Sequence, residues 1–164
     1  MREAAVAPID TMFSVSSPAF SSGGPIPGEH ATERAGGRNV SIPLEWGQPP
    51  EGTASLAIET VDLDANLWIH WLVVDIPPGV TGLPAGASGA GMPKGARELT
   101  NTFGKTGWSG PQPPAGVHEY RSTVYALDVD TLGLDDDATL ADFNEAIKGH
   151  VVRSSSVSGI FERR

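Results

Sequence analysis

The sequence predicts a mainly β protein, a sandwich of short strands with one short helix near its C-terminus. Three observations lead there. Twenty glycines and 14 prolines together make 34 of the 164 residues, a composition that favours many turns joining short strands. Apolar residues fall in brief runs bounded by Gly and Pro. Only one segment repeats apolar residues at helical spacing. The length fits a single domain able to bury a real core, read as residues 12–164 behind an N-terminal tail at 1–11.

In chain order, "MFSVSSPAF" (12–20) reads as a short extended segment and 21–38 as a turn-rich loop. "NVSIPLEW" (39–46) is extended, and Pro43 makes it an edge or irregular strand. After the turn "GQPPEG", the segment 55–65 begins as a strand and ends at two carboxylates, Asp62 and Asp64. "LWIHWLVVDI" (67–76) is apolar on both faces, as expected of a strand buried between two layers. Alternation along it puts Trp68, His70 and Leu72 on one face. Residues 77–96 form a long Gly/Pro loop, and 118–129 another strand. In "TLADFNEAIKGH", Leu140, Phe143 and Ile147 share one side of a helix. Thr139 with Asp142 resembles a capping box, and Gly149 is a natural stop. The acidic run 135–137 suits the helix N-terminus. "VVRSSSVSGIF" (151–161) closes the chain as a strand.

The absence of Cys excludes disulfides, thiolate metal sites and Cys nucleophiles. A net charge of −9 argues against a nucleic-acid partner. The longest apolar stretch, 67–74, is too short to span a bilayer and is broken by His70. The opening "MREAAVAPIDTMF" has no apolar run long enough for a signal peptide. Cytoplasmic residence without membrane insertion is the expectation.

"FGKTGWSGPQPPAGVHEY" (103–120) carries more Gly and Pro than a simple connection needs. It ends in His118 and Tyr120, which share a strand face. Asp62, Asp64 and His70 lie at neighbouring strand ends. Each has an ordinary reading: the aspartates as turn formers, His70 as a core histidine with one hydrogen bond, the loop as a rigid connector. Together they would make a small polar pocket. Amides near Gly107 and Gly110 could form an anion-cradling nest, His70, His118 and Tyr120 could donate hydrogen bonds, and Asp62 could accept from an ammonium group or fix a histidine tautomer. Such a pocket suits a small anion or a zwitterionic head group.

The order "VDLDAN", "IHWLVVDIP", "GWSGPQPPAGVHEY", "VYALD" and "GIFER", with "NVSIPLEW" and "FGKTGWSGP", resembles the phosphatidylethanolamine-binding protein family, closest to its bacterial, Raf kinase inhibitor-like branch. The resemblance spans roughly residues 12–163. It implies a β-sandwich whose surface pocket binds phosphate, acetate or phosphoethanolamine-like groups without a metal or other cofactor. Carried over, the ligand-binding residues are Asp62, Asp64, His70, Gly110, Pro113, Pro114, His118 and Tyr120. The sequence departs from the family pattern at Leu63 and Asn66 (both usually Pro), Trp108 (usually Tyr), Glu119 (usually Arg) and Phe161 (usually Tyr).

The function expected is that of a binding or regulatory protein for a small anion, a lipid head group or a phosphorylated partner. The alternative is an enzyme using Asp62, His70 and His118 for acid/base chemistry on a small carboxylic or carbonyl substrate. A metal site on His70, His118 and a carboxylate is a third, lesser reading. The resemblance leaves a homodimer open.

Overall fold

The computed structural model describes residues 13–163; the tail expected at 1–11 lies outside them. Seven strands and one α-helix follow in order: β1 (Leu44–Glu45), β2 (Ser55–Asp62), β3 (Trp68–Ile76), β4 (Gly82–Leu83), β5 (Arg97–Glu98), β6 (Gly116–Leu127), α1 (Leu140–Ile147) and β7 (Val151–Arg163). Five strands make one antiparallel sheet in the order β5-β3-β2-β6-β7, and β1 pairs with β4 in a second, two-stranded sheet.

The centre of the large sheet is buried on both sides, because β2 and β3 carry apolar residues on both faces. On one face Leu56, Ile58, Trp71 and Val73 pack against Phe13, Ile42, Leu44 and Trp46 from the small sheet and its loops. On the other, Ala57, Leu72, Val74 and Leu127 meet Phe143 and Ile147 of α1. Apolar area of this kind is worth about 25 cal/mol per Å² removed from water, so the two layers hold β3 from both sides as its composition predicts. The helix ends follow its sequence. Thr139 and Asp142 form a reciprocal capping box, and Gly149 continues the chain at φ +81.

Alternation fails at two places in β3. Thr60 pairs with Trp71 but Val61 with Ile69, so His70 is the extra residue of a bulge. Ile69 and Leu72 therefore face the same core, and Leu72 does not share the His70 face as regular alternation would require. A second register shift lies near Asp75, at φ +61. The Asp75 carboxylate accepts from the Leu132 amide at 3.0 Å and the Thr131 hydroxyl at 3.1 Å, which holds this left-handed residue in place.

Two short strands go unread in the sequence: β4 lies inside the loop expected at 77–96, and β5 just after it. Each is two residues long, too short to show alternation. Among the described residues no helix is long and apolar enough to cross a membrane.

Candidate functional site

The β2–β3 and β6 ends meet where Asp62 pairs with both Trp68 and Tyr120. A cavity of about 300 Å³ opens there, lined by Asp62, Ala65, Trp68, His70, Phe103, Gln112, Pro113, Pro114 and His118. Five of the eight residues expected at the site thus converge: Asp62, His70, Pro113, Pro114 and His118.

Each imidazole is anchored through Nδ1. His70 sits on the bulge and is 2 % exposed; its Nδ1 donates to the Ser109 carbonyl at 2.6 Å. A carbonyl only accepts, so Nδ1 carries the proton and Nε2 is left to the cavity side. His118 Nδ1 donates to Asp62 Oδ2 at 2.7 Å, which likewise leaves Nε2. Bulges commonly re-aim a side chain next to a functional site, and here the extra residue brings a histidine from β3 to the cavity.

Burial pushes the His70 imidazole below its ordinary pKa, opposed by the Ser109 carbonyl, the Asp62 carboxylate and the Gly110 carbonyl. The neutral ring therefore presents Nε2 as an acceptor, and it must gain a proton before it can donate to an anion. Tyr120 lies beneath both rings, 5.0 Å from His70 edge-on and 6.4 Å from His118. It is 3 % exposed and does not line the cavity; its buried hydroxyl makes no well-formed hydrogen bond but interacts with the Asp62 carboxylate and the Gln112 amide. Burial, then the nearby Asp62 charge, raise its pKa, so it remains a donor.

Two expected residues take other roles. Gly110 does not line the cavity: its amide donates to Asn39 Oδ1 at 2.8 Å. A Cβ built on it would fall 1.8 Å from the His30 carbonyl oxygen. The Gly107 amide donates to the Leu99 carbonyl. The expected nest at Gly107 and Gly110 is therefore corrected: both amides are consumed inside the protein, and Gly110 is required for close packing. Asp64 also stands off the cavity. Its amide donates to Asp62 Oδ1 at 2.8 Å, and its own Oδ2 accepts from the Glu119 amide at 2.8 Å. Turn forming, the ordinary reading of an aspartate pair, describes it.

Sequence reasoning missed four contributors. Gln112 reaches the cavity with Oε1 occupied by the Thr32 hydroxyl at 2.7 Å, so its NH₂ is the end free to donate to a ligand. Phe103 and Trp68 form an aromatic wall, 5.5 Å apart and edge-on. Asn39, left-handed at φ +55, holds both the Gly110 amide and the Trp108 carbonyl; an Asn behind a Gly-Gly-Arg turn is a signal for such a conformation.

The departures also find physical places. Asn66 adopts φ +52, which a proline ring cannot reach, so the β2–β3 turn differs in kind from one built with Pro there. Leu63 packs at the margin of the α1-side core. Trp108 is buried, donates Nε1 to the His30 carbonyl at 3.1 Å and packs edge-on against Trp71. Phe161 pairs with His118 across β6 and β7. Among the described residues no group of three or more His, Asp or Glu side chains is arranged to hold a metal.

The chain is thus a β-rich domain with a small cavity at strand ends, bounded on one side by a Gly/Pro loop. The sequence profile of the family described as phosphatidylethanolamine-binding protein matches residues 16–162, and the chain belongs to that family. A UPF0098 protein of Methanothermobacter thermautotrophicus is 38 % identical over 148 residues, covering 88 % of this chain and 95 % of that one. A Mycobacterium tuberculosis protein whose name, LppC, marks it as a candidate lipoprotein is 37 % identical, covering 95 % of this chain and 75 % of its own. Among solved structures, Escherichia coli YbcL, described as a new member of the mammalian PEBP family, superposes with a TM-score of 0.86 at 32 % identity, covering 93 % and 99 % of the two chains.

Proposed function

We propose that the protein binds a small phosphorylated or carboxylate-bearing head group, of the phosphoethanolamine type, and acts as a binding or regulatory protein. One observation carries this reading. Two imidazoles, each fixed through Nδ1, leave their Nε2 atoms to one cavity that also holds the Gln112 amide. The Gln112 amide donates to ligand oxygens, a protonated imidazole adds a charge-assisted donor, and Asp62 balances an ammonium group. A cytoplasmic location belongs to the same reading; recovery of the native protein in membrane fractions would overturn that part.

The test is a histidine-detected NMR titration with O-phosphoethanolamine and, separately, acetate. Both His70 and His118 signals should move, and His118→Ala should weaken binding at least tenfold, the scale of one lost charged hydrogen bond. Unmoved histidines, or wild-type affinity in His118→Ala, would sink the reading.

The Asp62–His118 pair supports a second reading. A histidine oriented by a carboxylate and open to a cavity is the arrangement of a general base. Turnover of a small carbonyl substrate, abolished in both Asp62→Asn and His118→Ala, would favour it over simple binding.

A further inference from the structure

The described residues hold two His–Asp pairs joined through Nδ1. In the cavity, His118 Nδ1 donates to Asp62 Oδ2 at 2.7 Å. On the surface, His150 Nδ1 meets Asp128 Oδ1 at 2.8 Å. The surface side chains are 43 % and 50 % exposed, the cavity ones 14 % and 5 %. The chain therefore carries one such pair in a cavity and, as a reference, one in open solvent.

Asp62 is committed to the imidazole. Its Oδ2 is taken by His118, and its Oδ1 accepts from the Asp64 amide at 2.8 Å. An imidazole nitrogen that attacks an electrophile becomes cationic. A buried carboxylate on the opposite nitrogen offsets that charge more strongly than a carboxylate in water does. His70 lacks this support. Its Nδ1 faces the Ser109 carbonyl, and burial holds its pKa below 6.5, so a positive charge there is costly. Of the two cavity histidines, His118 is the better nucleophile.

The groups around it suit a phosphoryl group. The Gln112 amide, with its Oε1 occupied by Thr32, donates to one phosphoryl oxygen, and the neutral His70 Nε2 accepts from a protonated one. The cavity, about 300 Å³, is at the small end for a ligand site, and its lining contains no Lys or Arg. Size and charge favour a small phosphoryl donor over a nucleoside triphosphate.

We propose that His118 is a phosphorylation site, and that the protein takes a phosphoryl group from a small acyl phosphate and passes it to water. This rests on the head-group reading above and adds a reaction to it. His118 Nε2 attacks phosphorus. The Nε2–P bond forms as the P–O bond to the acyl group breaks, and that bonding pair leaves with the carboxylate product. The Nδ1 proton stays in the bond to Asp62, which balances the charge of the phosphorylated ring. Water then attacks phosphorus and the N–P bonding pair returns to Nε2, releasing dihydrogen phosphate.

The probe is acetyl phosphate, followed by intact mass, ³¹P NMR and peptide mapping in alkali, where an N–P bond survives. Release of inorganic phosphate above the buffer rate is measured beside it and carries the comparison where hydrolysis outruns labelling. An acid-labile phosphoryl group should appear on His118 about tenfold faster or more than on His150, the scale of one charge-assisted hydrogen bond. His118→Gln should abolish both labelling and release, and His150→Gln should leave them unchanged. At saturating acetyl phosphate, Asp62→Asn should slow them by about tenfold or more. Equal labelling of His118 and His150, or full rate in Asp62→Asn, would overturn the phosphorylation site. So would the absence of both labelling and release while O-phosphoethanolamine, a poor phosphoryl donor, still moves the His118 NMR signal; the head-group pocket would then stand alone. If neither compound acts on His118, both proposals fail.

Discussion

Asp62 and His118 are bonded diagonally across β2 and β6. Asp62 is in register with Tyr120, yet its carboxylate reaches His118, two residues along, at 2.7 Å. The reach is possible because both side chains stand on the same face. The bond fixes the tautomer and aim of the imidazole.

Asp62→Asn should therefore loosen His118 without unfolding the sheet. The amide can still accept through its oxygen, but the charge is gone. Affinity for O-phosphoethanolamine should drop about tenfold to a hundredfold, the range for a lost charged hydrogen bond. The His118 ring ¹⁵N shifts should show a mixture of tautomers. A single retained Nδ1–H tautomer with wild-type affinity would contradict the assignment.

His70 makes stability fall in acid. Its folded pKa lies below the ordinary 6.5 because of burial, so as pH drops through 6.5 the unfolded chain takes up a proton first. The contribution is complete above pH 6.5 and is lost as pH falls toward the folded value. Burial moves Glu59 the other way, above 4.5, opposed by the Tyr125 hydrogen bond and the Arg121 charge. Its contribution is present below 4.5 and is lost as pH rises through the folded value. Urea unfolding between pH 5 and 7.5 in a Glu59→Gln background isolates the histidine: its slope should flatten when His70→Asn is added. An unchanged slope would mean that His70 is not neutral in the fold.

Acetate should bind more tightly as pH falls from 8 to 5.5. His70 can donate from Nε2 only after gaining a proton, so binding takes one up, with up to about a tenfold gain per pH unit. Calorimetry in buffers of different ionisation enthalpy counts that proton. Zero uptake together with pH-independent affinity would rule out His70 as a donor.

The only two tyrosines should resist alkali. Burial, then Glu59, push Tyr125 up to about 12, and Tyr120 is raised by burial and Asp62. Difference absorbance should show almost no phenolate at pH 10.5 in the folded protein and most of two equivalents in urea. Appreciable ionisation of the native protein near pH 10 would show that a ring is more open than described.

Gly110→Ala should destabilise by about 3 kcal/mol or more, because the new methyl meets the fixed His30 carbonyl. Gly159→Ala, whose nearest neighbours are the movable side chains of Phe20 and Ile26, should cost less, about 1 kcal/mol. Equal denaturation midpoints for the two variants would refute the packing role of Gly110.

What was legible in the sequence follows physical rules of short range. The two-faced apolar run of β3, the capped helix, and the co-facing of His118 and Tyr120 all come from local periodicity. The His70 bulge does not, since no Gly or Pro marks it and the register is set by β2. Loop amides at Gly107 and Gly110 looked free because their acceptors, the Leu99 carbonyl and the Asn39 side chain, come from elsewhere in the chain. Gln112 and Phe103 reach the cavity through tertiary placement alone.

The loop from Gly107 to Pro113 is fastened from five sides. Asn101 holds the Gly107 carbonyl and the Ser109 hydroxyl, and His70 holds the Ser109 carbonyl. Asn39 holds Trp108 and Gly110, Thr32 the Pro111 carbonyl and Gln112, and Arg163 the Pro113 carbonyl. A wall tied down in this way should move little if a ligand binds. Entry and exit should then be governed by diffusion and by breaking of the contacts themselves, the ligand finding a finished mould and leaving it unchanged.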